Sequence, residues 1–332
     1  MADDLSYVPV IDVGPLVGAG GDRRRVAGEI DGACRRSGFF YVVGHGVDAG
    51  LQDRLRELSG EFFRQGVEVK QRIAMRRGGR AWRGYFRVGD ELTSGKPDQK
   101  EGLYFGQERS ADDPLVVAGT PLCGPNLFPE HPAGLREAVL EYMAAIAELG
   151  KRLMAGIALG LGLEETYFEE HGTRDPLTLF RIFNYPPPPA GSELWGVGEH
   201  TDYGLLTILL QDDAGGLEVK SGKNWIAAPP IPGSFVCNLG DMLDRMTRGV
   251  YRSTPHRVRN PAPRDRLSFP FFFDPNFFAK VGPIELPSGE TAPDDRADRW
   301  DKTSVHAFSG TYGDYLLGKV GKVFPELVAK VL

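Results

Sequence analysis

The strongest constraint on this chain is a change of texture near Gly172 and the Asp175-Pro176 pair. Downstream, short apolar runs recur at Leu177 to Tyr185, Leu205 to Leu210, Leu217 to Lys220, Ser234 to Leu239 and Leu267 to Asp274, separated by Gly, Pro and Asp. Such runs, punctuated by turn residues, read as the strands of a closed or sandwiched β-structure. Upstream the spacing is helical. Val26, Ile30 and Ala33 share one side of a segment from Asp22 to Arg36 that Gly38 stops, and Leu51, Leu55, Leu58 and Phe62 mark a second helix. A stripe from Leu135 through Val139, Tyr142, Met143, Ile146 and Leu149 to Leu153 should form the longest helix, a brace behind a sheet. Val8 to Asp12 and Phe39 to Val43 read as early strands. The order predicts an α+β chain: a jelly-roll core with helices packed outside it.

Two segments do not follow either pattern. Met75 to Gln107, rich in Gly, Arg and aromatics, reads as a long loop with short strand pieces, and long ordered loops are often functional. Its arginines Arg76, Arg77, Arg80 and Arg83 read first as a solvated face, with a lid for an acidic substrate or a nucleic-acid contact as alternatives. Pro186 to Pro189 cannot donate to a central ladder and reads as an exposed stiff link.

Composition narrows the function. At 332 residues the chain is one large domain or two closely packed ones. A net charge of −6 disfavours a general binder of nucleic-acid backbone. Cys34, Cys123 and Cys237 are odd in number and form no CxxC, so neither a disulfide scaffold nor a zinc ribbon is expected. No secretory signal opens the chain and no apolar stretch is long enough for a bilayer, so a cytoplasmic protein without membrane contact is expected.

The chemistry concentrates in three strings: His200-Thr201-Asp202, His256, and Arg266-Leu267-Ser268. Residues i and i+2 of a strand face the same side, so His200 and Asp202 point one way. A third ligand must come from another strand, and His256 lies in the strand-like run Val250 to Val258. Two histidines and a carboxylate suffice to hold a ferrous ion and leave its other face open. Ligand type alone does not exclude zinc, but Arg266 and Ser268 favour iron, because a zinc hydrolase needs no buried clamp for a dicarboxylate. They share strand parity with Pro270, Phe272 and Asp274, and an unbroken strand would turn all five inward. Arginine grips a carboxylate through two parallel hydrogen bonds. His45, His131, His171 and His306 carry no such pattern and read as ordinary histidines.

These strings resemble the isopenicillin N synthase-like family of iron(II)- and 2-oxoglutarate-dependent oxygenases. The resemblance covers most of the chain. It rests on the block Gly198-Glu-His-Thr-Asp-Tyr-Gly-Leu-Leu-Thr-Ile-Leu-Leu-Gln-Asp, on Gly216-Leu-Glu-Val, Asn238-Leu-Gly-Asp, Tyr251-Arg-Ser-Thr-Pro-His-Arg-Val and Arg266-Leu-Ser-Phe-Pro-Phe-Phe, and on Val8-Pro-Val-Ile-Asp with Gly38-Phe-Phe-Tyr-Val-Val-Gly-His-Gly-Val. It implies a double-stranded β-helix core with an α-helical N-terminal region, organised as 8–125, a core at 175–276 and a C-terminal extension at 277–332. It gives iron(II) to His200, Asp202 and His256, and the distal carboxylate of 2-oxoglutarate to Arg266 and Ser268. Arg181-Ile-Phe-Asn-Tyr-Pro resembles the family's strand ending in Asn-Tyr-Tyr-Pro, which places Tyr185 beside the oxo acid and puts Phe183 where asparagine is usual.

The implied reaction hydroxylates an unactivated C–H bond of a small molecule with O2, releasing succinate and CO2. Arg181, Tyr104, Tyr203, Phe272 and Asp274 are the candidate substrate residues. Two alternatives stay open: an oxidase of the same fold that takes no 2-oxo acid, and a non-catalytic jelly roll that keeps a metal. The ending Pro325 to Leu332 lacks the glutamine of the penicillin-forming branch. The oligomeric state is not legible.

Overall fold

The computed structural model describes residues 6–324 apart from 19, 94, 189–193, 294–295, 298, 300–301 and 303. In chain order its strands are Val10–Asp12 (β1), Phe39–Val43 (β2), Gly84–Phe86 (β3), Glu101–Gly106 (β4), Leu177–Tyr185 (β5), Val197–His200 (β6), Leu206–Gln211 (β7), Leu217–Ser221 (β8), Asn224–Ala227 (β9), Phe235–Leu239 (β10), His256–Val258 (β11) and Arg266–Asp274 (β12). They form a large sheet in the order β1-β2-β10-β7-β12-β5-β4-β3 and a small one in the order β6-β11-β8-β9. All pairings are antiparallel except β1 with β2. The two sheets are the jelly roll expected from the strand spacing. The large sheet also takes four strands from the first 106 residues, two of them from the segment read as a long loop.

The principal helices are Arg23–Arg36 (α1), Ala49–Phe63 (α2), Leu135–Gly160 (α3), Asp241–Met246 (α4) and Tyr312–Val323 (α5). Asp22 and Asp48 cap α1 and α2, their carboxylates accepting from the amides of Arg25 and Leu51. The brace helix α3 reaches 26 residues, longer than its apolar stripe suggested, because Met154, Ile157 and Ala158 continue its buried face.

Strand β12 is central to the layering. It runs unbroken through Pro270, which stands opposite Leu209 of β7. Its outward residues Phe269, Phe271 and Phe273 are fully buried. Each such phenyl contributes roughly 1.5–3 kcal/mol of burial. Gly150 of α3 permits the close approach: a Cβ there would sit 2.6 Å from the Phe273 ring. The inward set is the one that parity required. Ser268, Pro270, Phe272 and Asp274 line an internal cavity, and Arg266 is wholly buried one strand step beyond Ser268.

The sequence reading left α5 unassigned. Tyr312, Leu316, Val320 and Val323 form one of its faces and close over that cavity. Thr311 and Asp314 make a capping box that starts the helix. The arginine run divides: Arg76, Arg77 and Arg80 are not buried, but Arg83 is 1% exposed and donates to the Leu122 carbonyl. Pro189 and the stretch 325–332 lie outside the described residues. No helix among the described residues is long and apolar enough to cross a membrane.

Candidate active site

His200 ends β6 and His256 begins β11, and the two are register partners across the ladder. Asp202 follows His200 by two residues. One ligand atom from each of the three lies within 4.8 Å of the others. The Nε2 atoms of His200 and His256 are 3.9 and 3.8 Å from Asp202 Oδ1. Each imidazole is oriented from behind: Nδ1 of His200 donates to the Gly198 carbonyl at 2.8 Å, and Nδ1 of His256 to the Thr254 carbonyl at 3.3 Å. That leaves both Nε2 lone pairs facing inward. Burial holds both imidazoles below their usual pKa, His256 at about 4 with a further push from His200, so both are neutral, the form that ligates a metal.

The aspartate is prepared in the same way. Its Oδ2 accepts from Thr207 Oγ1 at 2.6 Å and from Asn238 Nδ2 at 2.7 Å, which leaves Oδ1 for the centre. Thr207 is on β7 and Asn238 on β10, so the large sheet fixes a ligand carried by the loop after β6. Three ligand atoms meet at one point with their outer atoms already hydrogen-bonded. The donor set fits a divalent metal of the iron(II) type.

Arg266 is fully buried. Its Nε donates to the Gly215 carbonyl, and its guanidinium carbon lies 4.8 Å from the Tyr185 ring centroid. Its Nη1 and Nη2 have no hydrogen-bond partner. A buried guanidinium with two idle donors is costly unless an anion completes it. Ser268 and Tyr185 line the adjoining cavity wall. Two idle donors behind a cavity wall shared with the metal triad fit one carboxylate of a dicarboxylate.

Arg181, Tyr104, Tyr203, Phe272 and Asp274 all line this same cavity. Arg181 lies over Tyr104, its guanidinium carbon 3.5 Å from the ring centroid, and its Nη1 donates to the Phe105 and Phe180 carbonyls. Tyr312 donates to Asp274 Oδ2, while Oδ1 has no hydrogen-bond partner. Burial raises the Asp274 carboxyl to about 7.

Sequence reasoning missed the charged cluster beside Tyr104. Lys100 is 1% exposed and pairs with both Asp98 and Glu91, and Glu91 accepts from Tyr104. Burial alone would lower the Lys100 ammonium, but Asp98 and Glu91 outweigh it and hold the group above its ordinary value. Lys100 also sits 4.9 Å from the Phe183 ring centroid. These residues come from the segment with no clear periodicity, where only the charges at positions 91, 98 and 100 marked them. Trp82 and Phe324 complete the apolar rim.

Comparison with known proteins agrees with this geometry. Residues 8–131 match the family described as non-haem dioxygenase in morphine synthesis N-terminal, and residues 176–275 match the 2OG-Fe(II) oxygenase superfamily. A Dictyostelium discoideum protein named as an iron/ascorbate oxidoreductase is 48% identical over 99% of this chain and 98% of its own. A 1-aminocyclopropane-1-carboxylate oxidase of the same organism is 38% identical over 99% and 98%. A homoarginine-6-hydroxylase of Oryza sativa is 38% identical over 96% and 98%. Among solved structures, a full-length Neurospora crassa protein in complex with alpha-KG and thymine superposes with a TM-score of 0.78 at 26% identity, covering 95% of this chain and 97% of that one. With its inward-facing triad and its idle buried arginine, the chain belongs to the 2OG-Fe(II) oxygenase superfamily and is a 2-oxoglutarate-dependent dioxygenase.

Proposed function

We propose that His200, Asp202 and His256 hold iron(II), that Arg266 and Ser268 take the distal carboxylate of 2-oxoglutarate, and that Tyr185 packs beside the oxo acid. The carrying observation is the pair of unpartnered Nη atoms on a fully buried Arg266. Iron(II) with 2-oxoglutarate supplies the activation of O2, coupled to decarboxylation to succinate and CO2. The protein's own residues do the rest. Thr207 and Asn238 occupy one oxygen of the aspartate and leave the other facing the centre, and the Gly198 and Thr254 carbonyls hold the imidazoles in one tautomer. Helix α5 and the Trp82 rim exclude water, so that a C–H bond of a small molecule can be held beside the centre.

The reading extends to a cytoplasmic enzyme acting on a small molecule, with the site borne by 175–276, flanked by an N-terminal region over 8–125 and closed by the extension at 277–332. Homoarginine, named for the rice relative, belongs in any first substrate panel. An oxidase that takes no 2-oxo acid, as named for the Dictyostelium relative, is the second reading. It leaves the idle Arg266 donors unexplained. Succinate released per O2 consumed separates the two. Succinate that requires added 2-oxoglutarate supports the proposal, and O2 consumption without succinate on every substrate overturns it.

A further inference from the structure

Two opposite charges are buried in the cavity without ion-pair partners. Arg181 is 7% exposed, and no carboxylate among the described residues lies within ion-pair distance of it. Asp274 is 2% exposed, has an idle Oδ1, and meets no cation of the described residues at that distance. They line one cavity yet do not pair with each other. Arg181 is held by the Phe105 and Phe180 carbonyls and the Tyr104 face, and a ligand group of opposite sign would complete each charge. Beside Tyr104, two carboxylates, Glu91 and Asp98, surround one ammonium, Lys100. The substrate side therefore carries three carboxylates against two cations.

We propose that the substrate is a basic α-amino acid or a close derivative of one, its carboxylate taken by Arg181 and its cationic nitrogens by Asp274 and Glu91. One carboxylate and two basic nitrogens neutralise this wall. Burial raises the Asp274 carboxyl to about 7, and a cationic group bound beside it would draw it back to the charged form. Tyr312 of α5 donates to the same carboxyl, which links the closing helix to the recognised group. Gly204 leaves room for it: a Cβ there would overlap Asp274 Oδ1 at 1.4 Å.

The inference rests on the oxygenase reading, and its test keeps the two apart. Succinate release is measured with iron(II) and 2-oxoglutarate on L-arginine, L-lysine and their one-methylene-longer homologues. The controls are L-citrulline, which keeps the shape of arginine without its charge, and the Nα-acetyl and carboxamide derivatives. At least one basic amino acid should raise succinate release well above the substrate-free rate. Each neutralising change should lower kcat/KM at least tenfold. Binding, read as a thermal shift of the 2-oxoglutarate complex, should follow the same order. Asp274→Asn should lose the preference for charge while its 2-oxoglutarate affinity stays within about twofold. Preference for neutral or dicarboxylic substrates overturns the inference. So does no stimulation by any basic amino acid while substrate-free 2-oxoglutarate consumption persists. Absence of even that consumption strikes the oxygenase reading instead. The wild-type panel decides the matter if the variant does not fold.

Discussion

His200 and His256 face each other across an antiparallel ladder with ring centroids 4.2 Å apart. Register alone brings them together, since neighbouring strands run about 4.8 Å apart. His256 also meets the edge of Phe39, 5.3 Å between centroids, so its ring is packed as well as hydrogen-bonded. His256→Ala should lower turnover by about 100-fold or more through lost metal binding. Succinate release and iron equilibrium dialysis check this, with far-UV circular dichroism as the folding control. Near-normal turnover would remove His256 from the ligand set.

Thr207 acts on iron only through Asp202. Thr207→Val deletes the hydroxyl that donates to Oδ2 and leaves Asn238 as the other donor. Metal affinity should fall roughly 10-fold, within the range usual for a group behind a ligand. The 2-oxoglutarate affinity of the iron-loaded protein should barely change. A loss confined to 2-oxoglutarate would show that Thr207 serves a different part of the site.

The residues that the fold gathers at the site were legible because they sit at fixed spacing: His200 and Asp202 two apart on one face, and Arg266 and Ser268 on one strand parity with Asp274. Strand β12 was legible through Pro270 because its alternating phenylalanines need a buried outer face. Other parts follow from tertiary contact. Strands β3 and β4 look like loop, since Gly84–Phe86 and Glu101–Gly106 are buried on both faces and show no alternation. Lys100 with Glu91 and Asp98 reads as surface charge until the fold buries it. Helix α5 did leave a signal in Tyr312, Leu316, Val320 and Val323, but interspersed glycines weakened it. Arg83 lies in an arginine run that looks solvated, and only the packing against Gly106 reveals its burial: a Cβ on that glycine would sit 2.0 Å from an Arg83 nitrogen.

Gly204 is required by volume. A methyl group at this position would collide with the Asp274 carboxylate, and the neighbouring Gly240 already packs against the Gly204 backbone. Gly204→Ala should destabilise the protein by roughly 1–3 kcal/mol, as overpacking does. Chemical denaturation would measure it. Unchanged stability would mean that Asp274 can swing away, and the cavity wall would then be less fixed than described.

In the proposed site Arg266 waits for the far carboxylate of 2-oxoglutarate. The most direct measurement is an anaerobic titration of 2-oxoglutarate into the iron(II)-loaded protein, followed by the weak visible charge-transfer band of the chelate. Wild type should develop the band. Arg266→Ala should bind iron as before yet need roughly 100-fold more 2-oxoglutarate, the cost of about 3 kcal/mol in charge-assisted hydrogen bonds. Equal loss of iron and 2-oxoglutarate, or unaltered 2-oxoglutarate binding, would contradict the account.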